Sequence, residues 1–154
     1  DKSSGATGSG AVDETTNLKA DLKTDLKYPG DYVIYKLIVA NDGNIDAVLE
    51  KINFSMQKEG TVIKYYYSVD DKNTWNEVSK NGENPYNEDL LAKTTDDFYV
   101  KVEYDPTKTG TATEEEKSNK LTLEFIYVQK TDGGAIIPGL YIDTILIVWE
   151  LVIA

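Results

Sequence analysis

Few residues in this chain can carry chemistry, and most familiar chemistries are closed to it. The 154 residues include no His and no Cys. The sixteen basic residues are all Lys. Without His the chain lacks the commonest general base and metal ligand, and without Arg it lacks the bidentate phosphate fork. Without Cys there is no disulfide, thiolate metal site or cysteine nucleophile. Carboxylates, Lys, Tyr and Ser remain. They form no nucleophile–base pair and no phosphate loop, so the reading is not an enzyme and no cofactor is expected.

The nearest approach to a metal loop is Asp42, Asn44 and Asp46, with oxygen ligands at alternate positions. Ala47 stands where a calcium loop needs its glycine, and Asn53 where it needs the closing Glu. A plain turn is the favoured reading. Asp70, Asp71 and Asn73, and Glu114 to Glu116, read as solvated acidic loops. Asn53-Phe54-Ser55 is a lone N-glycosylation sequon. Tyr65, Tyr66, Tyr67, Trp75, Tyr99 and Tyr104 offer either a sugar-stacking platform or ordinary cross-strand packing, with packing favoured. A Lys–Asn isopeptide crosslink would need Lys36, Lys64 or Lys101 enclosed, whereas strand alternation can turn each outward.

The formal net charge of −11 disfavours nucleic acid and anionic membranes as partners. The chain opens at Asp1 with no initiator Met and no apolar leader, the pattern of a mature secreted product. Secretion to the extracellular space or cell surface is therefore expected.

The elements that must position these residues are strands. Residues 1–17 are small, polar and Gly-rich, which suits a flexible linker or a donated N-terminal segment. Leu18, Leu22 and Leu26 recur at a spacing that fits a helix or a one-sided strand. Tyr28-Pro29-Gly30-Asp31 reads as a type II turn. Strands are expected over 32–40, 46–57, 61–69, 98–104 and 121–129, with Val48, Ile52, Phe54 and Met56 sharing one face of the second. A hairpin tip carrying Trp75 is expected at 70–77, one helical turn at 88–92, and a long polar loop over 105–119. The fold class that follows is all-β, an antiparallel Ig-like or jelly-roll sandwich with extended terminal strands. Its domains are 1–17, the sandwich 18–130, and a linker plus apolar strand 131–154.

The stretch Leu26-Lys27-Tyr28-Pro29-Gly30-Asp31 leads into an apolar strand that ends in Asn41-Asp42-Gly43-Asn44-Ile45-Asp46-Ala47. Asp97 to Tyr104 and Asn119 to Phe125 supply a later strand pair. This layout resembles the TasA/camelysin family of biofilm-matrix fibre proteins and related archaeal bundling-pilus subunits, over about residues 18–130. The resemblance implies a jelly roll that polymerises by donor-strand exchange, the donor usually being N-terminal. Here that segment carries Val12, Leu18, Leu22 and Leu26. The metalloprotease label of some camelysins is not carried over, because no HExxH helix is possible without His.

After Gln129 the chain departs from that pattern. Tyr141 to Ala154 is apolar on both alternating faces. One face carries Tyr141, Ile145, Ile147, Trp149, Leu151 and Ile153, the other Ile142, Leu146, Val148 and Val152. Such a strand must be covered twice. A membrane helix is the weakest reading, since fourteen residues of helix span about 21 Å against a hydrocarbon core of about 30 Å. Two readings stay open: the last strand of its own sandwich, or a donor strand inserted into another copy of the chain. The expected function is a subunit of a secreted filament whose partners are other copies of itself. The alternative is a monomeric cell-surface module that binds carbohydrate or a host protein.

Overall fold

A computed structural model describes residues 5–12, 18–56, 62–78, 89–107, 117–129 and 145–151. The expected turn at 59–60, the residues Glu114 to Glu116, and Tyr141, Ile142, Val152 and Ile153 lie outside these. So does most of the expected loop at 105–119. Among the described residues nine strands form two antiparallel sheets. They are β1 (Thr7–Val12), β2 (Lys19–Asp25), β3 (Tyr32–Asn41), β4 (Ala47–Met56), β5 (Ile63–Ser68), β6 (Asn76–Glu77), β7 (Thr95–Tyr104), β8 (Ser118–Gln129) and β9 (Ile145–Leu151). One sheet runs β1-β2-β8-β4 and the other β6-β5-β7-β3-β9. The fold is a β-sandwich. No helix among the described residues is long and apolar enough to cross a membrane.

Alternation explains the core. In β3, Val33, Tyr35, Leu37 and Val39 are all 0 % exposed, so one face of the strand is sealed. β7 turns Phe98, Val100, Val102 and Tyr104 inward, and β8 turns Leu121, Leu123, Phe125 and Tyr127 inward. Burying each large side chain contributes about 1.5–3 kcal/mol before entropy. Rings tie the sheets together. Tyr67 of β5 stacks between Phe54 of β4 (6.0 Å between centroids) and Phe98 of β7 (5.6 Å), and Phe98 meets Phe125 of β8 edge-on at 5.4 Å.

The turn at 28–31 forms as its residues predict. Gly30 has φ of +91°, and the Asp31 amide donates to the Tyr28 carbonyl at 2.9 Å. That is the type II geometry that favours glycine. The Asp31 carboxylate also accepts the Lys27 and Tyr28 amides, each at 2.9 Å.

Of the two readings left open for Leu18, Leu22 and Leu26 the strand holds: they lie in or beside β2, and all three are buried. Other sequence expectations are corrected. Val48 does not share a face with Ile52 and Phe54. A bulge between Leu49 and Lys51 shifts the register, so Ala47 and Leu49 join the core and Glu50 and Lys51 both face solvent. An extra residue is the way a strand keeps two adjacent charges wet. Where a helical turn was expected at 88–92, Leu90 makes an isolated bridge with Ala47. β8 begins at Ser118, inside the expected loop. Thr7–Val12, within the segment read as linker or donor, is a strand.

Candidate functional site: the two terminal edge strands

The two terminal strands each occupy an edge. β9 closes one end of the five-stranded sheet beside β3, and β1 closes one end of the four-stranded sheet beside β2. The two edges meet, with β1 packed against β9.

β9 pairs with β3 over Asn41 to Tyr35, in a register that sets Ile147 opposite Val39, Val148 opposite Ile38, Trp149 opposite Leu37 and Glu150 opposite Lys36. Ile147 is buried in the core. Val148, on the other face, is 56 % exposed, so this strand has one covered face and one open to solvent at that point. On that outer face Lys36 Nζ lies 3.5 Å from Asp97 Oδ2 and 4.0 Å from Glu150 Oε1, forming a charge row across β7, β3 and β9. Asp97 first, then Tyr99, raise the Lys36 pKa above its ordinary value. Of the proposed donor residues, Ile145, Leu146, Ile147, Val148, Trp149 and Leu151 fall on β9, within the same chain.

β1 is its opposite in composition. Its sequence, TGSGAV, carries almost no apolar side chain. Gly8 lies so close to β3 that a Cβ there would stand 2.5 Å from the Tyr35 hydroxyl oxygen, 2.9 Å from Val33 Cγ1 and 3.0 Å from Tyr35 Cζ. The Tyr35 hydroxyl donates to the Lys23 carbonyl at 2.5 Å and shares a hydrogen bond with Thr24 Oγ1 at 2.8 Å. The Ser9 backbone is a further partner. One phenol thus ties β3 to β2 and β1. Burial pushes its pKa up to about 12, against the pull of its hydrogen bonds. Of the proposed N-terminal donor set, only Val12 belongs to β1, and it packs partly buried on the core. Leu18, Leu22 and Leu26 are core residues beside β1's partner strand.

The other sequence candidates do not converge. Asp46 accepts the Ala92 amide at 2.9 Å, and the Lys93 ammonium binds the Asp42 carbonyl. Asn44 is exposed. Among the described residues no group of three or more Asp or Glu is placed to hold a metal ion. Asn41, which the sequence did not single out, organises that loop. Its amide donates to the carbonyls of Ile45 (2.9 Å) and Leu90 (3.1 Å), and its Oδ1 accepts the Gly43 amide at 3.0 Å.

At the β5–β6 tip the Asp70 carboxylate accepts Ser68 Oγ (2.7 Å) and the Thr74 amide (2.8 Å), which lower its pKa. The Tyr99 hydroxyl donates to Asp71 at 3.0 Å. These bonds close a turn whose Asp71 and Lys72 have positive φ.

Tyr65, Tyr67, Tyr99 and Tyr104 are buried, which leaves Tyr66 and Trp75 as the half-buried members of the expected aromatic set. Lys101 Nζ lies between those two rings, 5.1 and 4.9 Å from their centroids. Lys36, Lys64 and Lys101 all lie half-buried on strands, and the first two face carboxylates, Lys64 that of Glu77 at 3.9 Å. Asn53 is half-buried on β4, an edge strand, opposite Glu124.

A groove of about 450 Å³ runs along the β1 end of the four-stranded sheet, lined among others by Ser9, Lys23 and Lys120. Asn119 also borders it, but both polar atoms of its side chain are sealed from solvent and have no hydrogen-bond partner among the described residues. No protein-family model matches the chain, and neither a curated protein nor a solved structure matches it.

Proposed function

We propose that the chain is a structural subunit of a secreted extracellular filament, of the pilus or matrix-fibre kind, in which a terminal strand of one copy completes a sheet of the next. The observation that carries this reading is β9. Among the described residues it is an apolar edge strand with a single hydrogen-bonded neighbour, β3, and residues 130–144 separate it from β8 in sequence. Fully extended, fifteen residues reach about 50 Å, enough to carry β9 onto the β3 edge of a second copy. Exchange there remakes the same pairs and leaves each copy's own β3 edge free for another, so growth is head-to-tail and need not close. The resemblance to TasA-like fibre proteins favours polymerisation by a donated strand, although the donor it implies is N-terminal. Secretion belongs to this proposal too, as does the absence of catalysis.

The rival is a monomeric surface module for carbohydrate or a host protein. The burial of Tyr65, Tyr67, Tyr99 and Tyr104, and the Lys101 ammonium already seated between Tyr66 and Trp75, count against a sugar platform.

The chain has no cysteine, so introduced thiols report cleanly. Ile38 and Val148 are cross-strand partners. A chain with Ile38→Cys is mixed, unfolded and refolded with a chain carrying Val148→Cys, then oxidised. Strand exchange produces the mixed disulfide well above either homodimer. A doubly substituted chain that only closes on itself, together with no mixed disulfide, sinks the filament reading.

A further inference from the structure

The two edges that meet at β1 and β9 differ in what they can admit. The β3 edge holds a strand with large side chains, and Ile147 of that strand reaches the core. The β2 edge holds a strand whose Gly8, opposite Thr24, has no room for a Cβ. The obstacle is not a loose side-chain tip. Tyr35 is 0 % exposed, and its hydroxyl is fixed by Thr24 and the Lys23 carbonyl. Val33, the second obstacle, is also 0 % exposed and lies two residues away on the same strand. Real Cβ atoms do not approach other heavy atoms to 2.5 Å, and a packed core gives way to an added methyl only by shifting its neighbours.

We propose that the Tyr35 hydroxyl is a size gate on the β2 edge, admitting only a strand with glycine opposite Thr24. The occupant the structure shows is Thr7–Val12, from the same copy or a second one. β9 from any copy is excluded, because its sequence ILIVWEL contains no glycine. The two edges are therefore not interchangeable. In a strand-exchanging assembly each edge has its own cognate strand, which enforces one direction of growth and suppresses mispairing. The proposal deepens the filament reading but rests on it only for an occupant from a second copy.

Hydrogen exchange of the full chain, read by mass spectrometry over residues 5–12, tests the gate within one molecule. Gly8→Ala is expected to lower protection of β1 about tenfold, and Gly8→Val to abolish it. Ser9→Val, whose side chain is exposed on the other face, leaves protection unchanged. Equal losses from Gly8→Ala and Ser9→Val overturn the gate. A second readout uses Lys23, the cross-strand partner of Ser9. In a chain carrying Gly8→Val and Lys23→Cys, a Ser9→Cys copy forms the mixed disulfide in preference to a Val148→Cys copy. Equal trapping of the Val148→Cys copy also overturns it. The exchange measurement needs no assembly, so a chain that never polymerises leaves the gate standing while the filament reading falls.

Discussion

Replacing Tyr35 by Phe removes one oxygen and should cost far more than a surface change. The ring stays, so the core loses no apolar contact. What is lost is the bond donated to the Lys23 carbonyl at 2.5 Å, the bond shared with Thr24 Oγ1 at 2.8 Å, and the tie to the Ser9 backbone. Thr24 is 3 % exposed, so its hydroxyl is left dry and without that partner. A buried polar group stripped of its partner costs about 1–3 kcal/mol, and at least two groups are affected. The loss is expected at about 2–4 kcal/mol. Urea unfolding of the two proteins at neutral pH measures it. The same phenol gives an alkaline signature. It ionises at about 12 rather than 10.0 in the fold, so the folded state holds its proton more tightly than the unfolded chain. Its contribution is complete below pH 10 and is withdrawn as pH rises to about 12, by up to roughly 3 kcal/mol. Tyr35→Phe should therefore flatten the stability curve between pH 10 and 12, although Tyr65 and Tyr127, whose pKa values burial also raises, keep some slope. A variant within about 0.5 kcal/mol of the parent, the range of an inert surface change, with an unchanged alkaline slope, refutes the role given to this hydroxyl.

Other consequences are as direct. Ile147→Ala should destabilise the chain by about 2–4 kcal/mol, because its side chain is 5 % exposed in the core, whereas Val148→Ser should stay within about 0.5 kcal/mol. Thermal unfolding of the pair compares the two faces of β9, and equal losses would mean that the outer face is covered as well. Asn119→Leu replaces an amide with no partner among the described residues by an apolar group of similar size, so it should stabilise by about 1–2 kcal/mol in chemical denaturation. Loss of stability there would reveal a partner for the amide. Lys101→Met keeps most of the stem and removes the ammonium between Tyr66 and Trp75, and should cost about 1 kcal/mol, with a change in Trp75 fluorescence.

What could be read from the sequence follows from how each residue declares itself. β3, β7 and β8 announce themselves because runs rich in β-branched, aromatic and leucine residues, 32–40, 98–104 and 121–129, mark most of each strand. The turn at 28–31 does so because Pro and Gly occupy the positions that its geometry demands. β1 is hidden, since threonine, serine and glycine in alternation carry the composition of a linker. Its strand character comes from pairing with β2 and from the close approach at Gly8, and neither is local. The bulge in β4 is hidden for a related reason, since Glu50 and Lys51 look like a break in alternation until the two faces are seen. Tyr35 reads as one more core aromatic in an apolar run. Its partners lie eleven and twelve residues away in the chain, on a strand of the opposite sheet. Asn41 reads as a turn residue, yet it staples a segment forty-nine residues on. For β9 the apolar character was plain, but which face finds cover depends on the neighbouring strands.

Edge strands invite pairing with other chains, so each of the four edges needs a reason to be left alone. β6 has two residues, too few to template a partner. β4 carries a bulge, turns Glu50 and Lys51 outward, and is bridged at Ala47 by Leu90 through two backbone bonds of 2.8 and 2.9 Å. β1 sits in a slot that Tyr35 narrows to a glycine. Among the described residues β9 has none of these devices, only its packing against β1. It is seven residues long, its sequence carries the single charge Glu150, and that carboxylate is engaged inward along the sheet by Lys36 rather than repelling a newcomer. An edge of this kind is costly for a chain that must stay monomeric and useful for one that must not. In the filament we propose, that contrast is a reason to look for the contact at the β9 edge rather than at the other three.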